Sequence, residues 1–237
     1  MKLRAFLTAL ASNWKDLILL VLGIYLALWM ENTVQSWEND DKRRDYLYRL
    51  SVDLQQDAEM LARLNGLLED KLQYMMSRIE ILTRADFDLA NREDEEVLLA
   101  AADMANNYHF FTPQDFTLLS MRESGDFKLL RNETLKRDLL KLHARYRELD
   151  NLQQNYIQGL DDEFIPLWIR SIDLLNNRVA DRELMDTPLF INMMLFAVNE
   201  TSNRQRYVEK LLQHAEKLSQ QLLAASGRTP PATSAEP

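Results

Sequence analysis

The feature that most constrains this chain is an uncharged apolar run close to its N-terminus. Residues 17–30 read LILLVLGIYLALWM, fourteen positions without a charge or an amide. A helix of this length rises about 21 Å, which is short of the roughly 30 Å hydrocarbon core of a bilayer. Trp14 and Trp29 bracket the run as interfacial aromatics do, and Asn32, Thr33 and Val34 can extend it at modest cost. The sequence therefore predicts a transmembrane helix over 14–34.

A run of this length has two other interpretations. A cleaved signal peptide also begins with a basic region, but residues 28–31 at the end of this run contain no small-x-small cleavage site. A fully buried core helix needs a partner that is apolar all round, and no other segment of the chain has that character. We therefore predict an uncleaved span, anchored in the lipid bilayer by Trp14, Leu17, Gly23, Ala27 and Trp29.

The span also carries information about partners and orientation. Gly23 and Ala27 share a helix face, which would let two spans approach closely, although small residues are common in solitary spans too. Basic residues precede the run, whereas residues 31–41 contain four acids and no Lys or Arg, before a basic cluster at 42–44. The positive-inside rule, applied to the immediate flanks, predicts a cytoplasmic N-terminus and a periplasmic C-terminal domain.

Composition indicates an all-α protein beyond the span. The 237 residues include only five glycines and six prolines, and no alternating β-branched run is bounded by turn residues. The formal charge is −9 and no basic stripe stands out, so nucleic acid is not an expected partner. There is no cysteine, which excludes disulfides and thiolate chemistry.

A heptad repeat follows the span. One apolar residue recurs every seven positions and defines an interaction seam, with further apolar residues three or four later. Asp57, Lys71 and Arg78 interrupt it, and Asn65-Gly66 is a predicted weak point. The long helix is either a coiled-coil-like oligomerisation stalk or the first helix of an intramolecular bundle. The seam residues are Leu47, Leu54, Leu61, Leu68, Met75 and Leu82.

The middle of the chain reads as shorter helices with recognisable ends. Residues 85–94 are polar and predict a loop, and a helix is expected over 95–107. Thr112 and Pro113 are predicted to begin the next helix as its cap and first residue, and Ser124-Gly125 to end it.

The second half of the chain predicts two longer helices. Asn132 is expected to cap the first, which should stop near Pro166 because proline disfavours a helical residue before it. Residues 186–188 repeat the cap-then-proline start for the second. The predicted organisation is an interfacial segment over 1–13, a transmembrane helix over 14–34, a stalk helix over 35–84, a helical bundle over 85–225 and a disordered tail over 226–237.

Two segments of the chain stand out together. The first is LILLVLGIYLALWMENTVQSW followed by YLYRLSVDLQQD, and the second is FTPQDFTLLSMRESGDFKLLRNETLKRDLLKLHARY. Both resemble segments of a widespread bacterial family of single-pass membrane proteins with no assigned function. Together they cover roughly a third of the chain. The resemblance implies a membrane-anchored helical protein and no particular reaction. The matching positions are Gly23, Ala27, Leu28, Asn32, Trp37, Gly125, Leu129 and Leu130.

We find no sequence pattern for catalysis, metal binding or a cofactor. None of His109, His143 and His214 lies in a zinc motif; we expect the first to be packed or capping and the others to lie at the surface. The acidic runs at 93–96 and 161–163 lack the spacing of a calcium loop, and acids at a helix N-terminus explain the first.

Aromatic residues leave one further possibility open. Tyr146, Tyr156, Phe164 and Trp168 lie on or near one helical segment, where they would either pack the core or line a ligand pocket between helices. The predicted function is a non-enzymatic structural or protein-interaction module of the bacterial inner membrane, acting as a homo-oligomer or with an envelope protein. The alternative is a ligand-sensing domain that signals through a partner.

Overall fold

A computed structural model describes residues 2–185 and 188–229, with only the backbone described for residues 2–13, 15–17 and 184. The all-α prediction is confirmed. The helices are α1 (Lys2–Leu82), α2 (Arg92–Asn106), α3 (Phe116–Glu123), α4 (Glu133–Gly159), α5 (Ile165–Ser171), α6 (Arg182–Met185) and α7 (Pro188–Ser226). A 3-10 turn spans Asp126–Leu129, a π turn spans Leu160–Phe164, and a two-residue antiparallel pair joins β1 (Ile172–Asp173) to β2 (Arg178–Val179).

Helix α1 is continuous for 81 residues, including the Asn65-Gly66 step where we predicted a weak point. Its C-terminal half packs mainly against α7. All six seam residues are buried inside the chain, so the heptad repeat lies within an intramolecular bundle in this structure and is not a free surface.

The bundle has two hydrophobic cores stacked along α1. The proximal core lies nearer the apolar run and combines α1 residues 47–68 with the first half of α4 and the last half of α7. The distal core combines the end of α1 with α2, the end of α4, α5 and the start of α7. Helices α1 and α4 therefore run away from the apolar run, whereas α7 returns toward it.

Asparagine caps determine where two helices begin. The Asn132 side chain accepts from the backbone N–H of Thr134 and Leu135, as predicted for the start of α4. Asn91 accepts from the N–H of Glu93, so α2 begins at Arg92, three residues earlier than predicted. Gly125 has φ 75° and so provides the predicted left-handed residue after α3.

The predicted helix start at Thr112 and Pro113 is wrong, because α3 begins only at Phe116. Side chains from other helices hold the preceding segment in a non-helical path. The Phe111 N–H donates to Gln153 Oε1 at 2.8 Å, and the Gln114 N–H donates to Asp57 Oδ1 at 2.7 Å. The bond to Asp57 takes the Gln114 N–H, which the predicted cap at Thr112 would otherwise have satisfied.

The predicted stop near Pro166 is also wrong. The helix continues through a π turn and α5 to Ser171. Pro166 has no N–H and its ring would crowd the carbonyl one turn earlier in an α-helix. The wider π turn immediately before it accommodates the ring, and the Ile165 N–H donates to the Leu160 carbonyl.

The predicted cap at residues 186–188 and the predicted tail are described only in part. Asp186 and Thr187 lie outside the described residues, and α7 begins at Pro188. Ser226, assigned to the tail, is the last residue of α7, while residues 230–237 lie outside the description. Arg228 contacts α1 instead of leaving the fold, since its Nη1 donates to Asp45 Oδ1 at 3.0 Å.

Candidate functional site

The apolar run forms an uncovered stretch of α1. Side chains from Ile18 to Met30 are exposed on every face of the helix; Leu19 is 68% and Tyr25 69% exposed. Of the helices in the described ranges, α1 is the one long and apolar enough to cross a membrane, with a mean hydropathy of 1.5 over its most apolar window and none of that window buried. A contiguous apolar surface of this kind needs a cover of lipid or protein.

The predicted anchor residues all lie on this helix. Trp14, Ala27 and Trp29 are exposed, and apart from the neighbouring backbone of α1 nothing lies within 4 Å of the position where a Cβ on Gly23 would stand. Leu17 is part of α1, but its side chain lies outside the described part of the chain. The polar neighbour Thr33 donates its hydroxyl to the Trp29 carbonyl at 2.8 Å, which hides that donor within the helix.

A polar layer separates the two cores of the bundle. Each long helix contributes to it at the point where its apolar residues change from one core to the other. We use the term polar layer for Lys71 of α1, Gln153 and Tyr156 of α4, and Thr201 and Arg204 of α7. All five side chains are buried.

Lys71 donates hydrogen bonds to backbone carbonyls at the end of α2 and in the segment after it. Its Nζ donates to the carbonyls of Ala105 at 3.1 Å and Asn107 at 2.7 Å, and lies 3.0 Å from the Tyr156 hydroxyl. The Tyr156 hydroxyl donates to the same Ala105 carbonyl at 2.7 Å. A cation at the C-terminal end of a helix is favoured by the orphan carbonyls there and by the helix dipole.

Arg204 is less well satisfied than Lys71. It is 2% exposed, with its Cζ 4.3 Å from the centroid of the Tyr156 ring. Its Nε and Nη2 donate to no acceptor among the described residues, and the buried hydroxyl of Thr201 one turn earlier also lacks a hydrogen bond of good geometry there. The stacked ring of Phe196 lies on the Tyr156 ring and leaves room for nothing larger than glycine at Gly159.

The layer has an uncompensated positive charge. No described carboxylate lies within ion-pair distance of Lys71 or Arg204, although Glu200 acts on Arg204 from one turn away. Burial, and then the charge of Arg204, lower the pKa of Lys71 to about 7. Burial followed by these two cations also lowers the pKa of the half-buried His109.

A second buried polar group lies in the proximal core. Asp57 is fully buried; its Oδ1 accepts from Gln114, and the Tyr146 hydroxyl lies beside it without completing a good hydrogen bond. Burial raises the pKa of Asp57 to about 6, and burial followed by Asp57 raises that of Tyr146. A cavity of about 20 Å³ adjoins them, large enough for one water.

The acidic residues singled out in the sequence make contacts that support the fold. Asp94 accepts from Arg84 and from the Asp88 N–H, and Glu95 accepts from the Val179 N–H, so the first acidic run holds neighbouring loops. The described residues contain no cluster of three or more potential metal ligands.

The histidines and aromatics complete the set of predicted candidates. His143 and His214 are half-buried, not fully at the surface as expected, because each packs beside a neighbouring helix. Tyr146, Tyr156 and Phe164 are core residues, and Trp168 packs on the distal core.

Sequence reasoning found Lys71 and Asp57 only as interruptions of the heptad seam, and it missed Arg204. A signal for Arg204 exists in the register of α7. The apolar positions Ala197 and Val208 are eleven residues apart, and Thr201 and Arg204 occupy the two intervening steps of the same stripe. Charged residues on an otherwise apolar stripe indicate a buried polar site.

Comparison with known proteins gives no relative from which a role could be transferred. No protein-family model, no curated protein and no solved structure matches this chain.

Proposed function

We propose that this chain is a single-pass protein of the bacterial inner membrane whose periplasmic helical domain acts as a structural or protein-interaction module. The observation that carries the proposal is the uncovered apolar stretch of α1, which continues without a break into the bundle. The resemblance of residues 17–37 to single-pass bacterial proteins supports the same assignment. The proposal assigns no reaction to the chain.

The membrane anchor is tested with two charges in the middle of the run. Leu22→Lys combined with Leu26→Lys places two lysines on one face, each costing about 2.5–3.5 kcal/mol at the centre of a span. We expect wild-type protein to stay in the membrane fraction after an alkaline wash, and the variant to leave it.

The matched control is Leu174→Lys with Leu175→Lys. These side chains are 68% and 97% exposed in the connection between β1 and β2. The control variant should remain in the membrane fraction. Release of the wild-type full chain by the alkaline wash would contradict the anchor.

Orientation is tested by reporters fused to the C-terminus. A reporter that is active only in the periplasm should give signal, since the flanking charges favour a cytoplasmic N-terminus. Signal only from a reporter that matures in the cytoplasm would reverse the assignment. Fusion is practicable because the last described residues follow the end of α7 and lie at its surface.

Exposed apolar side chains at the distal end support the interaction role. Ile169, Leu174 and Leu175 are exposed at the end of the bundle farthest from the apolar run. A photo-crosslinking residue at Leu175 should capture a defined protein in whole cells. The same residue at Glu209, an exposed polar position on α7, is the control and should capture less.

A ligand-sensing role remains the second candidate function, because the polar layer holds buried cations without counter-ions. A ligand that binds only the folded chain would raise its melting temperature, whereas a purely structural domain would show no such response.

A further inference from the structure

We propose that the polar layer binds an oxyanion, the phosphate, sulfate or carboxylate group of a small ligand, between Arg204 and Lys71. This inference gives the second candidate function its ligand class and does not depend on the membrane anchor. Arg204 carries it: the side chain is 2% exposed, and two of its donors, Nε and Nη2, have no acceptor among the residues described.

The two free donors lie on the same edge of the guanidinium. Nε–H and Nη2–H point in parallel, and this edge binds the two oxygens of a carboxylate or phosphate as a bidentate pair. The buried Thr201 hydroxyl, one turn earlier on α7, lies beside Tyr156 but completes no hydrogen bond of good geometry, so it is a further donor for the ligand. Lys71 supplies a second cation, and its Nζ lies 5.0 Å from the centroid of the same Tyr156 ring that Arg204 covers.

Charge balance distinguishes this layer from the buried acids of α2. The buried carboxylates of Asp94 and Glu95 are paired with Arg84 and Arg92, at 3.0 and 2.8 Å. The hydrogen bonds of Lys71 go to neutral groups only, and the charge of Arg204 disfavours that of Lys71. A buried cation without a counter-ion is costly to a fold, and an oxyanion would supply the missing charge and acceptors together.

The site is closed by the segment between α2 and α3. The Asn107 carbonyl accepts from Lys71, and the Tyr108 ring lies edge-on to Tyr156 with a centroid separation of 6.4 Å. Tyr108 also donates to Asp161 at 3.2 Å. Residues 107–110 are non-helical and lie at least partly at the surface, so the ligand enters by displacing this segment.

The competing counter-ion is the half-buried Glu200. It lies one turn from Arg204 on α7 and is the carboxylate that acts on it. If Glu200 rotated onto Arg204 it would occupy the same donors as the ligand. Removing this carboxylate with Glu200→Gln should therefore tighten oxyanion binding.

Inorganic sulfate is a suitable probe because its charge is constant between about pH 6 and pH 9. Thermal unfolding of the full chain in detergent is followed in sulfate and in chloride of equal ionic strength. We expect a rise in melting temperature of about 3–6 °C at ten times the dissociation constant. Arg204→Gln should lose this rise, and Lys71→Gln should weaken it.

Arg206→Gln is the matched control, because Arg206 is exposed on the same helix and donates to Asn203 at 2.7 Å. This variant should keep the full rise in melting temperature in sulfate. Calorimetric titration with sulfate should give about tenfold weaker binding at pH 9 than at pH 6, since Lys71 loses its proton over this range.

An equal rise in wild type and Arg204→Gln would show a general salt effect and overturn the proposal, as would the absence of a rise in wild type. Weaker sulfate binding by Glu200→Gln would overturn it too, because Glu200 would then be part of the site. If Arg204→Gln unfolds, Lys71→Gln and the pH dependence of sulfate binding decide the matter.

Discussion

Lys71 and Arg204 share one polar layer but differ in what their removal would expose. Lys71→Met leaves the carbonyl of Asn107 without its donor, so we expect a loss of about 1–3 kcal/mol in the free energy of unfolding. Arg204→Met removes a buried cation that donates no hydrogen bond from Nε or Nη2, so stability should stay level or rise by up to about 2 kcal/mol.

Thermal or urea unfolding in chloride buffer checks this contrast. Arg206→Met, at an exposed position of α7, provides the baseline for losing an arginine. Equal destabilisation by the Lys71 and Arg204 substitutions would mean that Arg204 has a structural partner in solution.

Asp57 should make stability depend on pH. Its pKa is about 6 in the folded chain and 3.8 as the ordinary value, so the folded state retains the proton longer. The contribution of Asp57 to stability is then greatest below about pH 4, falls as pH rises toward 6, and stays reduced above that. This difference in pKa lowers the free energy of unfolding by about 3 kcal/mol at neutral pH.

Asp57→Asn keeps an acceptor for Gln114 but carries no charge. Its stability advantage over wild type should grow between about pH 4 and pH 7, as measured by urea unfolding at several pH values. Asp70→Asn, at an exposed position of the same helix, is the control. An advantage that does not change with pH would mean that Asp57 is not buried as a charge.

At this scale the sequence indicates where polar residues are buried but not what they bind. Asp57 and Lys71 interrupt a heptad repeat, which suffices to place them at buried positions. Their partners are backbone groups of residues 105–114, which lie far along the chain in a segment with little regular structure. Such partners depend on the tertiary path of that segment, and a local pattern does not determine it.

Among the elements, the end of α4 contains a close contact that only glycine allows. A Cβ on Gly159 would stand 2.6 Å from Cζ of the Phe196 ring. We expect Gly159→Ala to lower the free energy of unfolding by about 1–3 kcal/mol, because the clash outweighs the helix propensity that alanine adds.

Gly66→Ala in α1 is the matched control, since apart from the neighbouring backbone of α1 nothing lies within 4 Å of the position that its new Cβ would take and the residue is exposed. It should raise stability by about 1 kcal/mol through helix propensity alone. Chemical denaturation measures both. A gain from Gly159→Ala would show that Phe196 does not pack against α4.

Helix ends were predictable from sequence where a local side chain caps them, and not where distant residues intervene. Asn132 and Gly125 act through bonds and dihedral angles within their own few residues. The start of α3 depends on Asp57 and Gln153 from other helices. The passage through Pro166 depends on a π turn, which has no simple sequence signal.

For the molecule as a whole, what packs against the heptad seam distinguishes a self-contained bundle from an obligate oligomer. Leu61 is fully buried in the proximal core. Leu61→Ala should cost about 2–5 kcal/mol without changing the oligomeric state, which light scattering on the full chain in detergent would measure. The exposed Leu67→Ala is the control and should cost less.

Dissociation of an oligomer by Leu61→Ala would mean that a second copy completes the core. From sequence alone both arrangements fit the heptad, because the repeat specifies a partner helix and not the chain that supplies it. The partner in this structure is α7, which lies more than a hundred residues later in the chain.

The uninterrupted course of α1 has a mechanical consequence. The helix extends as a single rod from the apolar run into both cores, with no hinge between Ile18 and Leu82. A twist or a piston-like shift of this rod would move Lys71, which is one of its residues, and would act on α7, which packs along it.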